Sequence, residues 1–234
     1  MKILIHAQYY LPKTLAGAEK YLYAVVKHLQ GQGHHITILI DEEAEYEYEG
    51  VRVTTTRRNI LEHYQKADIV FTHLTNSGQA IKYAWNTNKP LIHILHNNHP
   101  AAELFYDELE NNYIIYNSYA LAKELQLPYP SIVVRPGIDT GYWKSDKDHY
   151  LNKYITLVNC CREKGGKLLA TLADNLPQYQ FMGVMGAYNY QVNLPARFRN
   201  MQYMPLQEDM RKIYDQTRII IIPSYYESWS LVAA

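Results

Sequence analysis

Three side chains at separated points of this chain are suited to handling a charged, hydroxyl-rich ligand. Glu227 follows a run of four isoleucines, Ile219 to Ile222, closed by Pro223. Such a run suits a strand buried in the middle of a parallel sheet, which would present Glu227 at its carboxyl end, just before a helix start. There a carboxylate can accept hydrogen bonds from ligand hydroxyls, and the amide N–H groups of Ser230 and Leu231 can approach an anion. Lys164 precedes Gly165 and Gly166, a cation beside small residues where a phosphate can sit. His96 ends an apolar stretch, and an imidazole can hydrogen-bond a hydroxyl or shuttle a proton near neutral pH. The structural alternatives are an acidic helix cap for Glu227, a solvated cap for Lys164, and a satisfied core histidine for His96, with His73, His93 and His99 nearby.

To hold such groups the chain needs parallel strands, and its hydrophobic pattern supplies them. Lys2 to His6 reads as a buried strand, Gly17 to Leu29 as a helix with Leu22, Val25, Val26 and Leu29 on one face, and Ile36 to Ile40 as a second strand. Gly31 and Gly33 end that helix. This βαβ order dictates a parallel sheet with a right-handed crossover. The long loop from Gln8 to Glu19 brings Gly17 to the helix N-terminus, where backbone amides can approach a phosphate. Strands follow at Val51 to Thr56, Ala67 to His73, Lys89 to His96, Tyr113 to Tyr116 and Ile132 to Val134, with helices at Gly78 to Trp85 and Ser118 to Leu125.

The alternation restarts with strands at Tyr154 to Asn159, Tyr179 to Val184, Phe198 to Tyr203 and Arg218 to Ile222, and helices at Gly165 to Asn175 and Gln207 to Thr217. Between the halves, Ser145 to Tyr150 is charged and aperiodic, so the expected organisation is a domain over 1–144, a linker over 145–152 and a second domain over 153–234. Asp146-Lys147-Asp148 in that linker spells a D-x-D metal pattern, read as coincidence in a solvated segment. The fold class is α/β, with two Rossmann-like doubly wound parallel-sheet domains, the second incomplete.

The 23 basic and 23 acidic residues cancel, so no net field points to nucleic acid. Twenty-three tyrosines are an unusual supply of amphipathic rings, suited to half-buried surfaces and to stacking on sugars or bases. The only cysteines, Cys160 and Cys161, are adjacent and make neither a disulfide framework nor a metal site. Neither a signal peptide nor a membrane span is legible, and the expected location is cytoplasmic, with a peripheral membrane association left open.

Ordered phrases along the whole chain resemble one family. "PSYYESWSLVAA" is similar to the P-S-x-x-E-[GS]-[FW]-[GS]-L-x-x-x-E-A signature of the group 1 (family 4) retaining glycosyltransferases of the GT-B fold. "LAGAEKYLYAVVKHLQGQGHHITILI", "ADIVFTH", "LIHILHNNHP", "VVRPGIDTGYW" and "LPQYQFMGVMG" resemble further family segments in the same order. Ala16 replaces the first glycine of the family's G-G-x-E, Ser230 replaces a commoner glycine, and Asn159 stands where the family usually has arginine.

The resemblance implies transfer of a sugar from a UDP- or GDP-linked donor to a sugar, lipid or other hydroxyl acceptor, with retention and without a metal or other cofactor. It assigns the first domain to the acceptor and the second to the donor. His96 and Glu227 would lie beside the reacting sugar. Gly17, Asn159, Lys164, Gly183, Tyr203, Met204, Ser230 and Leu231 would bind the donor, with Lys164 on the diphosphate and Tyr203 and Met204 near the base. The family's second glutamate would fall just beyond Ala234, which implies a second domain cut short and a C-terminal edge open to self-association or a partner. The alternatives are a non-catalytic nucleotide-sugar-binding or interaction module, or half of a split enzyme. A generic Rossmann oxidoreductase is disfavoured, because no compact G-x-G-x-x-G follows either first strand.

Overall fold

Lys2–Ala7 forms β1, and every residue after Lys2 in it is buried, as a strand covered on both faces requires. It feeds α1, Gly17–Gly31, which packs Tyr21, Leu22 and Val26 against the sheet with Val25 and Leu29 partly covered. Gly33, at a φ of +79°, turns the chain back into β2, His35–Ile40. The computed structural model describes residues 1–42, 45–98, 111–187, 190–194 and 198–234. They fall into two compact units, Met1–Gly137 and Ile138–Ala234.

The first unit continues with β3 (Tyr46–Tyr48), β4 (Val51–Thr55), α2 (Ile60–Lys66), β5 (Ile69–His73), α3 (Ser77–Asn86), β6 (Leu91–Leu95), β7 (Asn112–Tyr116), α4 (Tyr119–Leu125) and β8 (Ser131–Val133). Its eight-stranded sheet runs β3-β4-β2-β1-β5-β6-β7-β8, parallel throughout except for the β3–β4 pair. The core lies on both faces, one around Ile5, Leu22, Val26 and Ile38 and the other around Leu4, Tyr64, Ala80 and Leu91. Ser118 caps α4 as its position predicts, its Oγ accepting from the Leu121 amide at 3.1 Å. The short antiparallel β3 and the helix α2 have no counterpart in the sequence reading. The histidine at position 99 lies outside the described residues.

The second unit contains α5 (Thr140–Trp143), β9 (Tyr154–Val158), α6 (Gly166–Asn175), β10 (Gln180–Val184), β11 (Met201–Met204), α7 (Arg211–Tyr214) and β12 (Thr217–Ile220). Its parallel sheet has the order β11-β10-β9-β12. Residues just after the division belong to this unit. The Tyr142 hydroxyl donates to Asp209, the Trp143 ring meets Tyr214, and Lys147 pairs with Asp215 at 2.5 Å. In the Asp146-Lys147-Asp148 stretch, Asp148 caps a 3-10 turn through the Tyr150 amide.

Three expectations are corrected here. The isoleucine run is an edge strand, with β9 on one side only, and Ile219 and Ile222 are 49% and 39% exposed. The helix expected from Gln207 shrinks to the four residues of α7, because Asp209 accepts from the Arg211 amide and starts the helix late, while Thr217 is already paired with Tyr154. No α-helix follows Glu227; Leu231 to Ala233 make a single turn closed on Ser230. Among the described residues no helix is long and apolar enough to cross a membrane.

Candidate functional site

The loops leaving β9 and β12, neighbouring strands, meet at the carboxyl edge of the second sheet. Lys164, on the first loop, places its Nζ 2.6 Å from Glu227 Oε1 on the second and 3.5 Å from the Tyr226 carbonyl. The Ser224 hydroxyl donates to the same carboxylate oxygen at 2.8 Å. Two residues 63 positions apart, each singled out from sequence, therefore share one ion pair. It is partly open, with the side chains 31% and 28% exposed, so it contributes only about 0.5 kcal/mol to stability and remains available to a ligand.

Backbone contacts fix this meeting point. The Tyr225 amide donates to the Glu163 carbonyl at 3.0 Å. Gly165 has a φ of +94°, and a Cβ on it would lie 2.4 Å from Pro223 Cγ, so only glycine lets the two loops close. Gly166 starts α6 against the Cys160 carbonyl, 2.1 Å from where a Cβ would stand. The N-terminus of α6 has no side-chain cap, so its amide dipoles add positive potential beside Lys164.

The remaining donor-side residues take distinct places. Asn159, at a φ of +68°, ends β9 and accepts from the Gln191 amide group at 3.0 Å and the Cys161 N–H at 3.4 Å. Its side chain thus organises the loops at the sheet edge, with Gln191 also accepting from Gly186 N–H at 2.9 Å. Gly183 lies buried inside β10, and the space a Cβ would need is filled by Cys160 Sγ and the Tyr203 ring, each 2.8 Å away. Tyr203 and Met204 end β11, half-buried, with the Met204 carbonyl bound by the Met185 amide. Ser230 caps the last turn, its carbonyl accepting from Ala233 and Ala234, and Leu231 begins that turn. Burial pushes the Cys160 thiol up to about 12, which makes it inert.

In the first unit, Gly17 sits exposed at the start of α1. Two positions on, Glu19 is fully buried and neither carboxylate oxygen has a hydrogen-bond partner, so burial raises its carboxyl to about 7. His96 follows β6, edge-on to the Tyr21 ring at 5.2 Å, with its Nε2 3.3 Å from His73 Nδ1. His93 Nε2 meets Ser77 Oγ at 2.7 Å, and His6 Nδ1 meets the Tyr64 hydroxyl at 2.7 Å. Burial holds His93 down at about 3, His96 at about 4 and His73 well below the usual imidazole range. The sequence reading placed histidines near one another but missed that His73 touches His96; it missed Gln191 altogether, and it matched Glu19 to the glutamate of the family's G-G-x-E without seeing that it is buried. Glu19 carries a signal in hindsight, a charged residue on the apolar face of an amphipathic helix. Among the described residues no group of three or more His, Cys, Asp or Glu side chains is arranged to hold a metal ion.

No family model and no curated protein matches the sequence. Solved structures do match. WaaG, a glycosyltransferase involved in lipopolysaccharide biosynthesis, aligns with a TM-score of 0.66 and 12% identity over 98% of this chain and 77% of its own. The α,α-trehalose 6-phosphate synthase of Burkholderia multivorans gives 0.62 and 10% identity over 100% of this chain and 80% of its own. AviGT4, a glycosyltransferase involved in avilamycin A biosynthesis, gives 0.57 and 14% identity over 91% of this chain and 66% of its own. At these identities the likeness is one of fold, that of GT-B glycosyltransferases with two Rossmann-like domains.

Proposed function

We propose that this chain acts in glycosyl transfer, moving a sugar from a UDP- or GDP-linked donor to a hydroxyl of a sugar, lipid or other acceptor, with retention at the anomeric carbon. The observation that carries the reading is the Lys164–Glu227 pair beside the uncapped N-terminus of α6. A donor diphosphate would take Lys164 from Glu227, exchanging one anion for another on the ammonium. Glu227, released, would accept hydrogen bonds from the donor sugar, while Ser230 and Leu231 offer amides nearby. Tyr203 and Met204 would flank the base, and Gly17 would leave room for phosphate at the start of α1. His96 would meet the reacting sugar. We assign the positive charge to Lys164 and to helix amides, without a metal.

One observation favours a second reading, a nucleotide-sugar-binding module that does not turn over or that needs a partner half. Asn159 replaces a cation and is already committed to Gln191 and Cys161, which leaves fewer charges for a leaving diphosphate. Calorimetric titration of the chain with UDP, GDP and their sugars tests both. Binding of one nucleotide that is lost in Lys164→Ala, with discrimination between nucleotide and nucleotide-sugar lost in Glu227→Ala, supports the donor site. Product formation on a panel of hydroxyl acceptors then separates enzyme from module. Equal affinity in Lys164→Ala and the parent chain overturns the assignment.

A further inference from the structure

The face of the first sheet that α2 covers changes character toward the sheet margin. On β2 it carries Leu39, fully buried and clustered with Tyr64 of α2. One strand further out, Thr54 stands beside Leu39, and alternation puts Arg52 of β4 on the same face. A groove of about 230 Å³ opens between this strand and the helix, lined by Arg52 and Thr54, by Arg58 from the turn after β4, and by His63 of α2. Its carboxylates are already engaged. Glu62 pairs with Lys66 one turn along α2, and Glu45 accepts from the Thr54 hydroxyl at 3.1 Å. The two arginines are not. Among the described residues neither guanidinium has a hydrogen-bond or ion-pair partner, although Glu47 stands opposite Arg52 in the β3–β4 register. With Glu62 and Lys66 cancelling, two guanidiniums are set against one carboxylate, and the lining keeps one uncompensated positive charge.

We propose that this groove binds the phosphate group of a small phosphorylated compound, with Arg52 and Arg58 as its two cationic contacts. A guanidinium fork matches pairs of phosphate oxygens, and two forks suit a dianion with three free oxygens better than a carboxylate. The groove is smaller than the 300–1,000 Å³ typical of pockets for drug-sized ligands, so the phosphate carries only a small body. The site lies wholly within the first unit and shares no residue with the Lys164–Glu227 pair, so it stands or falls apart from the glycosyl-transfer reading. His63 is its built-in reporter. Burial, and next the Arg52 charge, hold the imidazole below its ordinary range; Lys66 acts in the same sense, and Glu62 and Glu45 oppose it. An anion seated on Arg52 offsets that repulsion and raises the pH at which His63 titrates.

The test follows the His63 ring resonances by NMR in the full chain, assigned by their loss in His63→Gln, while glycerol 3-phosphate is added at constant ionic strength; calorimetry on the same samples gives the affinity. The expected result is a saturable shift with a raised His63 titration midpoint, absent with glycerol or with chloride. Arg52→Gln and Arg58→Gln should each weaken the affinity about 10-fold. Both arginines are exposed, so these changes spare the core. A His63 signal that glycerol 3-phosphate leaves unmoved overturns the proposal, as does an equal response to chloride or an affinity unchanged in both arginine variants. Vesicles containing phosphatidic acid decide the source of the phosphate, given the His63 response. Cosedimentation that is lost in Arg52→Gln assigns a lipid headgroup, and its absence assigns a free ester.

Discussion

Acidification from pH 8 to pH 5 should destabilise the first unit. The buried histidines drive it. His93 is held at about 3 and His96 at about 4, so both stay neutral in the folded state at pH 5, and His73, held well below the usual range by burial, acts in the same direction. Unfolded, each titrates near 6.5 and is protonated at pH 5. A depressed histidine contributes stability that is fully present above about pH 6.5 and is lost as pH falls. With the folded values already below pH 5, the loss per group depends on the unfolded value alone. It is about 2 kcal/mol for each of His93 and His96, about 4 together. Glu19 acts in the opposite sense. Its carboxyl is raised to about 7, so it binds a proton on folding between there and 4.5 and returns roughly 2.5 kcal/mol at pH 5. The net loss from His93, His96 and Glu19 is about 1.5 kcal/mol, to which His73 adds, against the 5–15 typical of a domain. Urea melts of the whole chain by circular dichroism at pH 8, 6 and 5 measure it as a falling midpoint at constant slope. Glu19→Gln removes the opposing group and should deepen the loss from His93 and His96 to about 4 kcal/mol. A midpoint unchanged between pH 8 and 5, or an equal slope in Glu19→Gln, refutes the reasoning.

Other outcomes follow from particular contacts. Lys164→Ala should weaken nucleoside-diphosphate binding by roughly 10- to 100-fold in calorimetry while moving the melting midpoint little, since the exposed ion pair is worth at most about 1 kcal/mol. Gly165→Ala combines a left-handed φ with a contact on Pro223 and should cost about 2 kcal/mol in thermal melts, with the loop after β12 becoming more open to proteolysis. Ser118→Ala removes the α4 cap and should cost about 1 kcal/mol in urea melts. Gln191→Ala releases both Asn159 and the Gly186 amide, and a nucleotide affinity equal to the parent's would show that this arrangement does not serve the ligand.

Strands such as Leu91 to Leu95 and Tyr154 to Val158 are readable because an apolar run bounded by turn residues has few other uses in an α/β chain. The isoleucine run shows the limit of that reading. Apolar content measures how much a strand can bury, but it does not say on how many sides neighbours will stand, and β12 has one. The helix from Gln207 fails for a local reason, the Asp209 carboxylate competing for the Arg211 amide. At the site, Lys164 and Glu227 emerge from the register of a resemblance, and their ion pair is long-range information that neither loop contains alone. The Asn159–Gln191 and His73–His96 contacts join residues with no motif between them, so only the folded chain brings them into view.

The place of β9 between β10 and β12 has a further consequence for how the site comes into being. The strand carrying Lys164 can pair with β10 through a connection holding only α6, whereas the Glu227 loop arrives after β11 and α7 have been laid down. Closing that larger loop is the slower event, so Lys164 should wait in a nearly assembled sheet for its partner. A nucleotide that bridges the two loops would act as a clasp on this last step, and at 100 times its dissociation constant it would stabilise the closed sheet by about 2.7 kcal/mol. Ligand binding and completion of the second unit would then be one equilibrium.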